Sequence, residues 1–375
     1  MSTSQSDLPL SLPIVDLDIF RSEQGSAQAQ EESKKAANAL ITYGALVVKD
    51  SRVSESDNET FLDLMEDYFA QPDDLLKKDE RPEFSYQVGV TLENTEKPKC
   101  KSDDDCLRII ARLAPSERPL DVTGHGADPK CRFFYKMSTT PPYETQFPSL
   151  NMPNVIPSAF EDVWKPTLDK WGQAMKNAVE GVAEMTALGL GLDQHTFTQA
   201  GLYGPHLLAP TASDLNKYGK KDTILAGFHS DLNFLTIHGR SRYPGLHIWA
   251  RNSGKRIAVK VPPGRYLLVQ AGKQLEHITG GLIKAGLHEV VVNEATTQVI
   301  EKTKAQGTRP LIRISSTFFW HLSSDYDLAP IQSLQALAVE VRGQAGEDES
   351  EVQTYEKMKV GTQVQNELKH IALMA

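Results

Sequence analysis

The chain has 375 residues, 40% of them hydrophobic and 24% charged, a balance that supports a sizeable buried core. Lys and Arg number 40 against 49 Asp and Glu, a net charge of −9, which excludes a broad phosphate-binding surface and a nucleic-acid partner. No run of about 18 apolar residues occurs and MSTSQSDLPL lacks a basic start and apolar stretch, so neither a membrane span nor a secretory signal is expected.

Residues 1–12 are polar and Ser-rich, a frayed lead-in. Leu12-Pro13-Ile14-Val15-Asp16-Leu17 reads as a short strand. From Glu31 to Tyr43 the residues Ala36, Ala37, Leu40 and Ile41 recur at helical spacing, and Gly44 stops that helix. Ala45–Val48 reads as a buried strand. A helix is predicted from Ser54 to Ala70, with Phe61, Leu64, Met65, Tyr68 and Phe69 on one side and Pro72 beyond its end. Residues 79–160 hold many prolines and no sustained period, so an irregular excursion is expected, with short strands such as Arg132–Lys136. Phe160–Leu192 is the clearest helix, with Val163, Leu168, Trp171, Met175, Val179, Val182 and Met185 on its stripe.

After Thr211 short apolar or alternating runs follow: Phe234–Ile237, Leu246–Ala250, Ile257–Val261, Tyr266–Val269, Glu289–Asn293 and Leu311–Phe319. Gly and Pro separate them, as in an antiparallel sandwich or barrel. A helix Ala295–Lys304 interrupts them, and helical patterning returns from Ile331. The organisation read from this is an N-terminal helical and irregular region (1–160), a helix plus β core (161–330) and a C-terminal helical tail (331–375). The fold class expected is mixed α and β, a double-stranded β-helix (jelly-roll) core flanked by α-helices.

Within the β core stands Phe228-His229-Ser230-Asp231. Alternation along a strand projects His229 and Asp231 to one side. With one further His from a neighbouring strand, they form a two-histidine, one-carboxylate face that suits Fe(II) oxygen chemistry. Alone the pair is weak, since about one such spacing arises by chance in a chain of this size, and the bland alternative is a loop Asp bonded to a surface His. His288 lies 57 positions after Asp231 at the head of a strong strand run, Leu287-His288-Glu289-Val290-Val291. Two strands and two turns between them, the second turn being Thr279-Gly280-Gly281, would bring His288 back. His277 is its competitor, readable equally as an ordinary polar strand residue; His238, His247 and His321 sit at strand ends, His195 and His370 in helical stretches. Further on, alternation points Arg313, Ser315, Thr317 and Phe319 to one face. A guanidinium beside a hydroxyl suits a bidentate grip on a carboxylate; the alternative is a charge paired within the barrel mouth.

These residues resemble the 2-oxoglutarate/Fe(II) oxygenases related to isopenicillin N synthase. The resemblance extends to Leu12–Leu17 and Tyr43–Val48, and to the Pro263-Gly264 turn, Leu267-Leu268-Val269, Thr279-Gly280-Gly281 and His288-Glu289-Val290. It implies His229, Asp231 and His288 as Fe(II) ligands and Arg313 with Ser315 as holders of the distal carboxylate of 2-oxoglutarate. It further implies an enzyme that uses O2 to oxidise a small organic molecule by hydroxylation, desaturation or cyclisation, releasing succinate and CO2. Three departures stand out. Leu207-Leu208-Ala209-Pro210 replaces the family's Asn-x-Tyr-Pro, with Tyr218 or His206 as candidate substitutes for the tyrosine. Gly272-Lys273 replaces Gly-Asp. Arg313 lies 25 positions beyond His288, farther than in the family, as though the helix Ala295–Lys304 were inserted.

The competing readings are an Fe(II) ring-closing oxidase that does not use 2-oxoglutarate, and a non-catalytic jelly-roll binding protein. Phe319, Asn233 and Arg132 are the candidate substrate contacts. Arg132-Phe133-Phe134-Tyr135-Lys136 could meet an anionic group or pack in the core with snorkelling ends. Asp103-Asp104-Asp105 reads as a solvated acidic loop. Three cysteines (Cys100, Cys106, Cys131) without a CxxC suit a reducing compartment, so a cytoplasmic protein is expected; Cys100 and Cys106 are close enough to pair, but nothing in the sequence points to an oxidising compartment.

Overall fold

A computed structural model of the protein describes residues 11–97, 100, 103–120, 126–345 and 354–371. All but Ser11 and Leu12 of the expected lead-in lie outside them. Ile14–Asp16 forms an edge strand parallel to Ala45–Lys49, with Ile14 opposite Val47. Between them runs the helix Ala27–Tyr43, capped by Ser26, whose hydroxyl accepts from the Ala29 N–H, and closed by Gly44 at φ 68°. It begins four residues earlier than the apolar period suggests, because Ala27-Gln28-Ala29-Gln30 has good helix formers but almost no apolar stripe.

The helix Glu161–Gly189 is the spine. Trp164, Leu168, Trp171, Met175, Val179 and Val182 are buried along it, whereas Val163, expected on that stripe, is 49% exposed. Close approach to the first helix demands glycine at its end: a Cβ on Gly189 would lie 2.2 Å from the Ser33 carbonyl oxygen. The other flank packs on strands Leu235–His238 and Thr317–Trp320, where Trp171 Nε1 donates to Ser316 Oγ at 2.8 Å. One apolar cluster runs from Val15 through Trp164 and Ile237 to Ile371.

Two larger sheets carry the rest. The first has ten strands, in the order Ile14–Asp16, Ala45–Lys49, Tyr266–Ala271, Leu235–His238, Thr317–Trp320, Leu207–Leu208, Cys131–Lys136, Thr211–Asp214 and Ile312–Ser315, with Gly89–Thr91 paired to Cys131–Lys136. The second has four: Arg256–Ala258, Leu246–Trp249, Leu287–Val291 and Ile224–Ser230. The run Leu311–Phe319, expected as one strand, breaks at Ser316 into two with different partners, Thr211–Asp214 and Leu235–His238. His277, which the sequence allowed as a polar strand residue, lies instead in a short helix, Lys273–Ile278. The Gly-Gly turn therefore follows a helix.

The stretch 79–160 contains an element that periodicity hides. Asp103 caps a helix Asp104–Arg112, its carboxylate accepting from the Asp105 and Cys106 N–H groups, so the acidic run is a helix start rather than a loop. Nine residues are too few to show a convincing period. That helix turns Cys106 back over Cys100, and the two are joined as a disulfide with their Cα atoms 5.3 Å apart; Cys131 is free. The expectation of three reduced thiols is overturned, because an odd total does not preclude one local pair. Asp327–Leu328 pairs with Met358–Lys359, and a helix Val360–His370 follows the latter. Among the described residues no helix is long and apolar enough to cross a membrane.

At Gly272 the backbone touches the loop after Asp231: its N–H donates to Phe234 O, that of Lys273 to Asp231 O, and an added Cβ would lie 1.9 Å from the Asn233 carbonyl oxygen. Gly272→Ala is expected to cost about 2–3 kcal/mol through forced backbone displacement, read as a lowered urea midpoint at unchanged slope.

Candidate metal centre

Strand Ile224–Ser230 pairs with Leu287–Val291 in a register that sets His229 directly across from His288. Opposed residues share a face, and the ring centroids are 4.2 Å apart. The strand ends at Ser230, so alternation does not hold Asp231 as the spacing suggested. Its loop does: Lys273 N–H donates to the Asp231 carbonyl at 2.8 Å and the buried Thr236 hydroxyl to Oδ2 at 2.7 Å. Oδ1 is thereby turned to both rings, 3.6 Å from His229 Nε2 and 3.9 Å from His288 Nε2. His229 Nδ1 donates to the Gly227 carbonyl at 2.6 Å, which fixes the tautomer with its lone pair on Nε2, the nitrogen nearer Asp231. One ligand atom from each of His229, Asp231 and His288 lies within 4.8 Å of the others. Two imidazoles and a carboxylate on one face fit a divalent first-row ion with open positions toward the adjoining space.

That space is a cavity of about 190 Å³ between the two sheets. Ser315, Thr317 and Phe319 line it, while Phe318 and Trp320 on the opposite face are in the apolar core. Arg313 is buried and its Nη1 donates to Ser315 Oγ at 2.6 Å. Among the described residues no carboxylate pairs with it, and its buried Nε has no partner. Burial draws its pKa down to about 10, so it remains a cation at neutral pH. A buried cation without a counter-charge is unfavourable, and an anion beside Ser315 would relieve it.

Asn233 lines the cavity, but its amide faces its neighbours there: Nδ2 lies 3.4 Å from Trp320 O, and Oδ1 lies 3.1 Å from the Thr236 hydroxyl oxygen. Arg132 also lines the cavity, ion-paired with Glu96 and stacked on Phe134. Neither candidate substitute for the missing tyrosine reaches it. Tyr218 points its hydroxyl at Glu93, 3.3 Å away, and His206 is stacked on Trp320. Leu207 and Thr211 line that wall instead.

Sequence reasoning missed His238. It is opposite Thr317 in register and lines the cavity. The Gln270 amide nitrogen lies 3.0 Å from its Nε2 and Thr317 Oγ1 3.2 Å from its Nδ1. With Nε2 accepting and Nδ1–H donated to the threonine, the Thr317 hydroxyl proton is free to point into the cavity. Burial pulls the His238 pKa to about 4 and that of His321, also on the cavity wall, to about 3. Alternation counted from Thr236 places His238 on the same face and would have found it.

Residues 195–322 match the family model of the 2OG-Fe(II) oxygenase superfamily. Azadirone synthase LFS of Melia azedarach is 28% identical over 152 residues, 38% of this chain and 45% of that protein. Gibberellin 3-beta-dioxygenase 2-1 of Triticum aestivum is 24% identical over 204 residues, 52% of this chain and 54% of that protein. The chain spans about half the length of these relatives. Among solved structures, a full-length Neurospora crassa protein in complex with alpha-KG is similar at a TM-score of 0.68 and 17% identity, over 98% of each chain. The rice dioxygenase for auxin oxidation gives a TM-score of 0.58 at 16% identity, over 93% of this chain and 100% of that one. At such identities the likeness is one of fold.

Two outcomes are expected. Thr236→Val frees Asp231 Oδ2 and should weaken Mn(II) binding about 10- to 100-fold, read by calorimetry. Acidification should also destabilise the protein. The unfolded chain protonates His321 at its ordinary 6.5 and the folded one only near 3, so between those values the unfolded state binds more protons. Stability then falls with pH by up to about 1.4 kcal/mol per unit for this group. His321→Gln should flatten the slope of urea stability between about pH 6.5 and 4.5.

Proposed function

We propose a function from the premise that residues 195–322 belong to the 2OG-Fe(II) oxygenase superfamily: the protein is a non-heme Fe(II)- and 2-oxoglutarate-dependent oxygenase of a small organic molecule. It hydroxylates, desaturates or cyclises that molecule and releases succinate and CO2. The two sheets are read as the layers of a double-stranded β-helix flanked by helices, with the cavity between them. His229, Asp231 and His288 hold Fe(II), and Arg313 with Ser315 takes the distal carboxylate of 2-oxoglutarate. When bound, iron, keto acid and O2 supply the oxidising power; the chain supplies position and dryness.

Thr236 and the Gly227 carbonyl orient the carboxylate and one imidazole before any ion arrives. Thr317, its hydroxyl aimed by His238, offers a donor between metal face and Arg313. Phe134, Leu207 and Phe319 exclude water from the far side, with Phe319, Asn233 and Arg132 as the substrate-side walls. The observation that carries the reading is Arg313, a buried guanidinium without a carboxylate partner among the described residues, bonded to a serine that lines the same cavity as the triad. The second reading, an Fe(II) ring-closing oxidase without a keto acid, draws support from the leucine-lined place of the missing tyrosine. It leaves Arg313 without a purpose.

Anaerobic addition of Fe(II) and then 2-oxoglutarate to metal-free protein should produce a weak visible charge-transfer band. His229→Ala and Asp231→Ala should abolish it. Arg313→Leu should raise the Kd for 2-oxoglutarate by at least about 30-fold while sparing Fe(II) binding. A band that survives in His229→Ala, or unchanged 2-oxoglutarate affinity in Arg313→Leu, sinks the assignment. Turnover without succinate would select the ring-closing oxidase.

A further inference from the structure

On the cavity wall, one strand beyond Thr211, which is itself opposite Ser315, stands an ionic group that metal and cosubstrate binding leave unused. Glu96, Asp128, Lys130 and Arg132 all line the cavity there. Arg132 is ion-paired with Glu96; Lys130 Nζ lies 2.8 Å from Asp128 Oδ2 and 3.4 Å from Glu96 Oε2. Asp128 Oδ1 also accepts from the Gly227 N–H at 3.1 Å, which ties the group to the strand that carries His229. The four side chains are only 6–15% exposed. Two cations thus face two carboxylates.

Within this neutral wall Arg132 keeps an unused donor. The guanidinium of Arg132 lies over the Phe134 ring, 3.9 Å from its centroid, which fixes its plane, and among the described residues the buried Nε has no hydrogen-bond partner. Beside it the Glu96 carboxylate has lone pairs beyond those its ion pairs occupy. Phe134, Leu207, Phe319 and Leu368 line the same cavity with apolar surface. A carboxylate ligand would meet Glu96 and Asp128 as closely as it met the cations, and an ammonium would meet the reverse. A hydrocarbon would leave the Arg132 N–H unsatisfied, which a buried donor tolerates poorly.

We infer that Arg132 and Glu96 form a recognition site for a mainly apolar small molecule bearing a neutral group with adjacent acceptor and donor, of the amide or lactam class. Its carbonyl takes the Arg132 Nε–H and its N–H goes to Glu96. Naming that molecule as substrate rests on the oxygenase reading of the cavity; the recognition itself does not.

The test uses the full chain with four probes sharing one apolar body: 3-phenylpropanamide, 3-phenylpropanoate, 3-phenylpropan-1-amine and propylbenzene, compared by saturation-transfer NMR. The amide should bind at least tenfold more tightly than the other three. The series is repeated on Arg313→Leu without iron or 2-oxoglutarate, so a failed cosubstrate assignment leaves this result readable. In Glu96→Leu/Arg132→Met, where both partners become apolar, the amide should fall to within threefold of propylbenzene while propylbenzene still binds. Arg132→Lys, which keeps the charge but loses the Nε–H, should lose the preference too and guards against a misfolded double variant. Equal binding of acid or amine, an amide no better than propylbenzene, no binding by any probe, or a preference that survives in Arg132→Lys would each overturn the inference.

Discussion

The pairing of Ile224–Ser230 with Leu287–Val291 is the constraint on which the rest of the site depends. Because side chains alternate across a strand, a shift of one residue in that ladder would carry His288 to the opposite face and out of reach of His229. Leu287, next to His288 and on the opposite face, packs in a small cluster with Phe228, Trp249 and the Cys100–Cys106 pair, while Val290, two residues past His288, shares its face and lines the cavity with it. Slipping the ladder would turn Leu287 out of that cluster and His288 away from the cavity. The metal face and the apolar cluster behind it are therefore set by one register.

Asp231 is positioned by different means. It lies just past the strand, in a loop that the backbone of Gly272 and Lys273 and the side chain of Thr236 draw against the neighbouring sheet. The two sheets are thus stitched together at the point where the triad forms, one supplying the histidines and the other the groups that aim the carboxylate. A loop fixed by buried hydrogen bonds is as rigid a support as a strand.

Charge is distributed along the cavity in two contrasting ways. Arg313 is buried and bonded to Ser315, with no carboxylate partner among the described residues, whereas Arg132 and Lys130 are matched by Glu96 and Asp128. An uncompensated cation is suited to an anionic ligand; a compensated group is suited to neutral hydrogen-bonding chemistry. The C-terminal helix adds Val364, Leu368 and Ile371 to the cavity wall, although it lies well beyond residues 195–322. What the cavity accepts is shaped in part by segments outside the matched region.

Elements with long periods, and the residue types that carry the chemistry, are legible in the order of amino acids alone. The spine helix, the N-terminal strand-helix-strand unit, the His229-Ser230-Asp231 spacing, the alternation of Arg313, Ser315, Thr317 and Phe319, and His288 at the head of a strand run all belong here, because each pattern lies within a short stretch of sequence, even where a strand end at Ser230 or Ser316 interrupts it. Folding in three dimensions was needed to reveal the helix at Asp104–Arg112, too short to show a period, and the disulfide its first turn allows. The same holds for the place of His238 on the cavity wall, the failure of Tyr218 and His206 to reach the cavity, and the meeting of Glu96 with Arg132. Each of these is a distance between residues remote in sequence or held by a loop, and such distances are set by how sheets and helices stack, which no local pattern encodes.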